Sequence, residues 1–406
     1  MYVTRIKLVN IRGFRDLPLN LVSANGTPRM RTLVIGKNGT CKTTLLRCVA
    51  LGLGDEHDAT ALVAEDIIGP LIGESGNDAT IELDVCDPER DSQSTTITTC
   101  IRRERRTEYA EKKSPPGYDH RGTLVCAYGI ARFFSGGETF VREYRIADSV
   151  YSLFNYEQTT LAGIELTMRR LSEYLKPKVY EQVMNLLKSA IGLGSSDELG
   201  IIKGGGVFMR EAYTRKKIPL AGWADGQRLM LLWLLDVFAW GLRARCISDE
   251  GCVRGILLID ELEQHVHPSI QRRLLGTLGR LLPRMQILAT THSPSVALGA
   301  APNELVVLKK RRGKIFKAET PDFSGYSIED ITRDERLFDS DIYSPKFSRK
   351  LREYEQLISK PRGKRTATEN RRLKVLVRDI AAKQMIPCEV DGALGELDRL
   401  VKKYDL

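Results

Sequence analysis

The sequence predicts an α/β fold centred on a parallel-type sheet, and three stretches predict it. "RTLVIGKNGTCKTTLLRCVALGL" runs from a short apolar strand through a glycine-containing loop into a helix, the context a phosphate-binding loop needs. "GILLIDE" is a wholly apolar run that ends in carboxylates. "QILATTHS" is another, ending in a histidine. Short apolar runs of this kind belong to strands buried on both faces.

The other elements follow in chain order. "VTRIKLVNI" alternates apolar and polar residues, as does "LPLNLV", so both read as half-buried strands. After the loop, Leu45, Leu46, Val49 and Leu53 fall on one helical face. "ATIELDV", "TTITTCI" and "TLVCAYG" read as further strands. Residues 131–219 are mixed and helical, with the strongest helix in "LTMRRLSEYLKPKVYEQVMNLLKSAIGLG". No heptads are sustained, which argues against a long coiled-coil arm. "GQRLMLLWLLDVFAWGLRARC" is a helix apolar on most sides, and packing on two faces is expected. "PSIQRRLLGTLGRLL" is an amphipathic helix starting at Pro268, and "NELVVLKKRRGKIFKAE" a hairpin around Gly313. Beyond Pro321 the chain turns polar and ends in helices such as "KFSRKLREYEQLI", whose Leu351, Tyr354, Leu357 and Ile358 form an apolar face. The expected organisation is one lobe over 1–130, a mainly helical insert over 131–219, a return to the first lobe over 220–320 and a basic helical extension over 321–406.

A chain of 406 residues exceeds one ordinary domain. Its 42% hydrophobic and 28% charged residues are those of a globular protein. No apolar run is long enough to span a bilayer, and "MYVTRIKLVNIRGF" lacks an apolar signal core, so a cytoplasmic location is expected. The eight cysteines contain no C-x-x-C pair and read as reduced thiols. The formal net charge of +10 is uneven: residues 302–406 hold 24 Lys+Arg against 18 Asp+Glu, and "RRERR" over Arg102–Arg106 is a second basic cluster. Such clusters attract polyanions by counterion release. A solvated surface explains them equally well.

Four stretches carry chemistry. Gly36, Lys37, Asn38, Gly39, Thr40, Cys41, Lys42, Thr43 and Thr44 nearly spell G-x-x-x-x-G-K-[ST], with Cys41 where glycine is usual. Backbone N–H groups of such a loop face phosphate oxygens, and the helix that follows adds partial positive charge. Lys42 would reach the β- and γ-phosphates of ATP and Thr43 would bind Mg2+. Cys41 sits at the helix entry, where ordinary helical angles are expected to suffice. Asp260 and Glu261 end a buried strand. One can hold the magnesium shell, the other orient or deprotonate the attacking water. His292 ends another strand, placed to contact a γ-phosphate. Ala224, Asp225, Gly226 and Gln227 open a helix and offer an anion free N–H groups, with Asp225 as the expected cap. His265 and His267 have a spacing seen in zinc sites, but no third ligand stands near.

The ordered set "IKLVNIRGFRDLPLNL", "GKNGTCKTTLL", "WADGQR", "LLIDELEQHVHPSIQ" and "ATTHSP" resembles the ABC-type ATPase heads of the SMC, RecF and overcoming-lysogenization-defect group over residues 1–320. The resemblance implies an ABC-type P-loop head with a mixed sheet. It gives Lys42, Thr43, Asp260, Glu261 and His292 the roles of phosphate lysine, magnesium ligand, Walker B aspartate, catalytic glutamate and switch histidine. Ala224–Gln227 stands in the signature position, which in such proteins meets ATP on a second subunit, so a homodimer or higher homo-oligomer is implied. Ala224 replaces the signature serine, and "YGIAR" over 128–132 occupies the Q-loop region without a glutamine. These departures suggest a slow switch. "PDFSGYSIEDITRDERLF" and the basic helices after it resemble the extension of Septu-type antiphage ATPases, also found in some retrons. That resemblance implies a separate HNH-type nuclease subunit. A RecF-like DNA-repair ATPase and an ATP-binding scaffold without turnover are the alternatives.

Overall fold

The computed structural model describes residues 1–64, 70–74, 76–89, 91–104, 107–115, 118, 122–131, 144–155, 161–202, 205–361 and 364–381. Strands β1 (Tyr2–Ile11) and β2 (Phe14–Asn20) come first, then β3 (Arg31–Ile35) and helices α1 (Lys42–Leu53) and α2 (Glu56–Ala64). Strands β4 (Asp78–Asp87), β5 (Asp91–Glu104), β6 (Thr107–Lys113) and β7 (Val125–Tyr128) follow. Next stand helices α3 (Ile146–Phe154), α4 (Ile164–Tyr174) and α5 (Pro177–Ala190), and strands β8 (Glu198–Ile201), β9 (Val207–Arg210) and β10 (Lys217–Pro219). The chain continues through α6 (Asp225–Arg243), β11 (Arg254–Ile259), α7 (Pro268–Leu281), β12 (Arg284–Thr291), α8 (Pro294–Ala297), β13 (Leu305–Arg311), β14 (Lys314–Ala318) and α9 (Ile328–Arg333). Helices α10 (Pro345–Ser359) and α11 (Ala367–Ala381) form the second compact unit, which starts at Ser340.

The expected central sheet is present, in the order β14-β13-β3-β12-β11-β7. All neighbours run parallel except the β13–β14 hairpin. Alternation along each strand gives the sheet two apolar faces. Leu33, Ile35, Leu257, Ile259, Ile287 and Ala289 pack into a core with α4–α7. Val34, Ile256, Leu258 and Leu288 pack the other way, with α1 and the antiparallel sheet β2-β1-β4-β5-β6. Helix α1 lies in that second core and is buried at every residue except Thr43, so the single apolar face expected of it becomes burial all round.

Two polar devices fix this second layer. The Gln286 side chain accepts from the Val3 N–H and donates to the Val3 carbonyl, both at 2.7 Å, and so ties β12 to β1 inside the core. Lys112 donates to the Leu51 and Gly52 carbonyls at 2.5 and 2.8 Å. Those carbonyls lie in the last turn of α1, where helical partners run out. Burial pushes the Lys112 amine down to about 7.

Two details depart from expectation. The first compact unit runs to Asp339, not to 320, because Phe323, Ile331 and Leu337 are buried in the α4–α7 core. The 131–219 insert also carries the three-stranded sheet β10-β9-β8. Of the "RRERR" cluster, Arg102 pairs with Glu111 at 3.2 Å and Arg103 with Glu108 at 2.6 Å. Arg105 and Arg106, Arg132 of "YGIAR" and residues 382–406 of the basic tail lie outside the described residues.

Candidate functional site

The site lies at the carboxyl ends of β3, β12 and β11, where ligands bind in open α/β sheets. Register places Ile35 beside Thr291 and Ile259 beside Ala289. The loop after β3, the acids after β11 and the histidine after β12 therefore meet.

Within the loop, the Thr40 hydroxyl donates to the Lys37 carbonyl at 2.8 Å and closes the turn. Lys37 itself points outward and pairs with Asp339 at 2.6 Å, and Asn38 is exposed. Gly39 and Cys41 both adopt the left-handed conformation, with φ of 78° and 59°. The ordinary helical geometry expected at Cys41 is thus replaced by one that strains a side-chain-bearing residue, at roughly 1–2 kcal/mol. Cys41→Gly should remove that strain and raise stability by about 1 kcal/mol, or roughly 2 °C in a melting curve. Binding of ATP should be unchanged.

Lys42 is buried, with its amine 2.8 Å from the Gly36 carbonyl. Burial holds that amine below the usual lysine range, against the pull of Asp260, Glu261 and Glu263. The Thr43 hydroxyl donates to Asp260 Oδ2 at 2.7 Å. Thr290 donates to Asp260 Oδ1 at 2.6 Å and accepts from the Glu261 N–H at 2.9 Å. A hydroxyl and a carboxylate held together are hard oxygen donors of the kind Mg2+ takes. Thr44 is buried and accepts from Arg12 of "RGF" at 3.0 Å.

Glu261 has φ of 49° and His265 63°, so the segment after β11 carries two strained residues. Strain of this kind collects at functional sites. Glu263, which sequence reasoning passed over, clasps the histidine loop. It accepts from the His292 N–H at 2.6 Å and from the Thr291 hydroxyl at 2.5 Å. Gln271 completes the clasp: it donates to the Val266 carbonyl at 3.0 Å and accepts from Ser293 at 2.7 Å. Burial, then the charge of Lys42, holds His292 below its ordinary value. Both favour the neutral imidazole. Glu263→Gln would turn one acceptor into a donor facing another donor. Turnover should fall about tenfold with ATP affinity within threefold, read from steady-state hydrolysis and equilibrium binding.

Ala224, Gly226 and Gln227 line a cavity of about 470 Å³ with His265, His267 and Ile270, and its lining includes no residue of the Gly36–Thr44 loop. Asp225 is the first helical residue rather than the cap, which is Ala224, and it pairs with Arg228 at 2.8 Å. Gly226 is required by close approach: a Cβ there would stand 2.2 Å from the His265 carbonyl. His267 caps α7. Helix α6 is anchored further down by Asp236, which accepts from Tyr128 Oη at 2.8 Å and the Ala162 N–H at 2.7 Å. Burial pushes its carboxyl up to about 6. Tyr128 in turn accepts through its carbonyl from the Asp260 N–H at 2.8 Å.

A family model described as "AAA domain, putative AbiEii toxin, Type IV TA system" matches residues 31–298. The Septu protein PtuA of Bacillus thuringiensis is 34% identical over 109 residues, 26% of this chain and 27% of that protein. The Septu protein PtuA of Bacillus mycoides is 22% identical over 341 residues, 81% of this chain and 44% of that protein. The alignments thus span less than half the length of either relative. A solved SMC head bound to the C-winged helix domain of ScpA shares 12% identity, covers 78% of this chain and 97% of its own, and superposes with a TM-score of 0.49. The loop between β3 and α1, the acids after β11 and the histidine after β12 meet as expected of an ABC-type P-loop fold, and the chain belongs to the AAA domain family matched over residues 31–298 and is similar to Septu PtuA.

Proposed function

We propose that this ATPase is a slow Mg-ATP switch that assembles with further copies of itself and controls a separate HNH-type nuclease in antiphage defence. The observation that carries the switch is the Thr43–Asp260–Thr290 chain of hydrogen bonds beside the buried Lys42. In this reading Thr43 and Asp260 hold Mg2+, which when bound offsets phosphate charge. Lys42 neutralises the β- and γ-phosphates, and the N–H groups at the start of α1 face their oxygens. Glu261 accepts the proton of the attacking water. Neutral His292, held by Glu263, offers a hydrogen bond to the γ-phosphate. Ala224–Gln227 meets ATP held by a second copy. Ala224 brings no hydroxyl to that contact, which supports slow turnover.

Similarity to Septu PtuA supports the defence role and the nuclease partner. A cytoplasmic location accords with that role. Among the described residues, no helix is long and apolar enough to cross a membrane. The net charge of +10 supports nucleic acid as a further ligand. The test is co-expression with the product of the neighbouring gene, expected to be an HNH-type nuclease. The pair should co-purify and ATP should change cleavage of plasmid DNA. Cleavage by this chain alone that disappears in its own site variant would overturn the separate-subunit reading.

A further inference from the structure

We propose that the hairpin joining β9 to β10 binds a single strand of nucleic acid and presents it beside the signature turn. This names the surface for the nucleic-acid part of the reading above and rests on that part, its placement resting also on the signature assignment of Ala224–Gln227. Residues 210–217 read "REAYTRKK", four cations against one acid. Arg210 is balanced by Glu198 at 3.3 Å. Lys217 stands directly across the ladder from Arg210, an unfavourable like-charge pair. Its amine lies 4.3 Å from the centre of the Phe208 ring, a cation–π contact. Arg215 and Lys216 are exposed, and among the described residues neither has an acidic partner.

At the tip stands Tyr213, 98% exposed. A solvated hairpin loop has no use for a large aromatic and is usually built from Gly, Asn, Asp or Ser. An aromatic face among unpaired cations is instead the chemistry that stacks an unpaired base and neutralises its phosphates. Duplex bases are already stacked on one another and leave Tyr213 nothing to receive. The tip is also held in shape: the Arg215 N–H bonds the Glu211 carbonyl at 3.0 Å, Arg215 takes φ of 54°, and the Ala212 N–H bonds Asp197 at 2.9 Å.

The hairpin leads straight to the signature turn. Trp223 is buried and its indole N–H donates to the Ile218 carbonyl of β10 at 3.0 Å. Ala224, the cap of α6, is the next residue. A strand of nucleic acid on the hairpin thus lies a few residues from the turn assigned to a second copy's ATP.

The test is fluorescence anisotropy of the full chain with a labelled oligo(dT) single strand and a labelled duplex, with and without Mg-ATP. Wild type should prefer the single strand. Tyr213→Ala should weaken it at least fivefold, as loss of one stacked base does. The triple variant Arg215→Ala, Lys216→Ala, Lys217→Ala should weaken it more and lower the salt dependence by about 2 in log–log slope. Tyr213, Arg215 and Lys216 are exposed and Lys217 gives up only its contact with the Phe208 ring, so ATP binding should stay put and melting temperature should fall by no more than about 2 °C. Single-strand binding that is equal in wild type and both variants would overturn the hairpin while leaving nucleic acid as a ligand elsewhere on the chain. No binding by wild type would sink both. Loss of nuclease co-purification in the triple variant, with oligonucleotide affinity intact, would make the hairpin a protein-docking element and overturn the proposal.

Discussion

Lys42→Ala is expected to lower ATP affinity by roughly 100-fold, the scale of losing charge-assisted hydrogen bonds in a buried site. Lys42 is 7% exposed, and burial already disfavours its charge in the empty protein. Two negative phosphate groups would restore that preference, so the amine gains most when nucleotide is present. Its removal takes away a cation facing Asp260, Glu261 and Glu263, whose charges act on it across the site. The variant should therefore fail as a nucleotide binder while staying folded. Isothermal titration gives the affinity, and a melting curve without nucleotide separates loss of binding from loss of fold. Affinity within threefold of wild type would remove Lys42 from the phosphate site.

Much of this arrangement was legible in the sequence because it is local. Strand, loop and helix around Gly36 follow from apolar runs broken by glycine, and β11 and β12 from runs too apolar to face water. Their order along the sheet was not legible, since parallel pairing is non-local. It is that order which puts Asp260 against Thr43. The threonines of "ATTHS" could have been suspected, as hydroxyls at a strand end beside a carboxylate. Glu263 could not: its role depends on the left-handed turns at Glu261 and His265, which fold the segment back on the histidine loop. Cys41 misled for the same reason. Its φ of 59° is set by the loop's path, which a small side chain in the sequence does not reveal.

Glu261→Gln should keep ATP binding and lower hydrolysis by on the order of 100- to 10,000-fold, the span of general-base catalysis. Glutamine keeps the shape and cannot take the proton of water. Asp260 keeps its bonds to Thr43 and Thr290, and the Glu261 backbone N–H keeps its bond to Thr290, so the residues proposed to hold phosphate and magnesium stay placed. If ATP joins two copies through Ala224–Gln227, a protein that cannot discharge ATP should remain joined. Light scattering behind size exclusion, run on Glu261→Gln with and without Mg-ATP, measures this directly. The account predicts a shift to at least twice the nucleotide-free mass, and no shift when Lys42→Ala is added. An unchanged mass with ATP bound would contradict it, as would wild-type hydrolysis by Glu261→Gln.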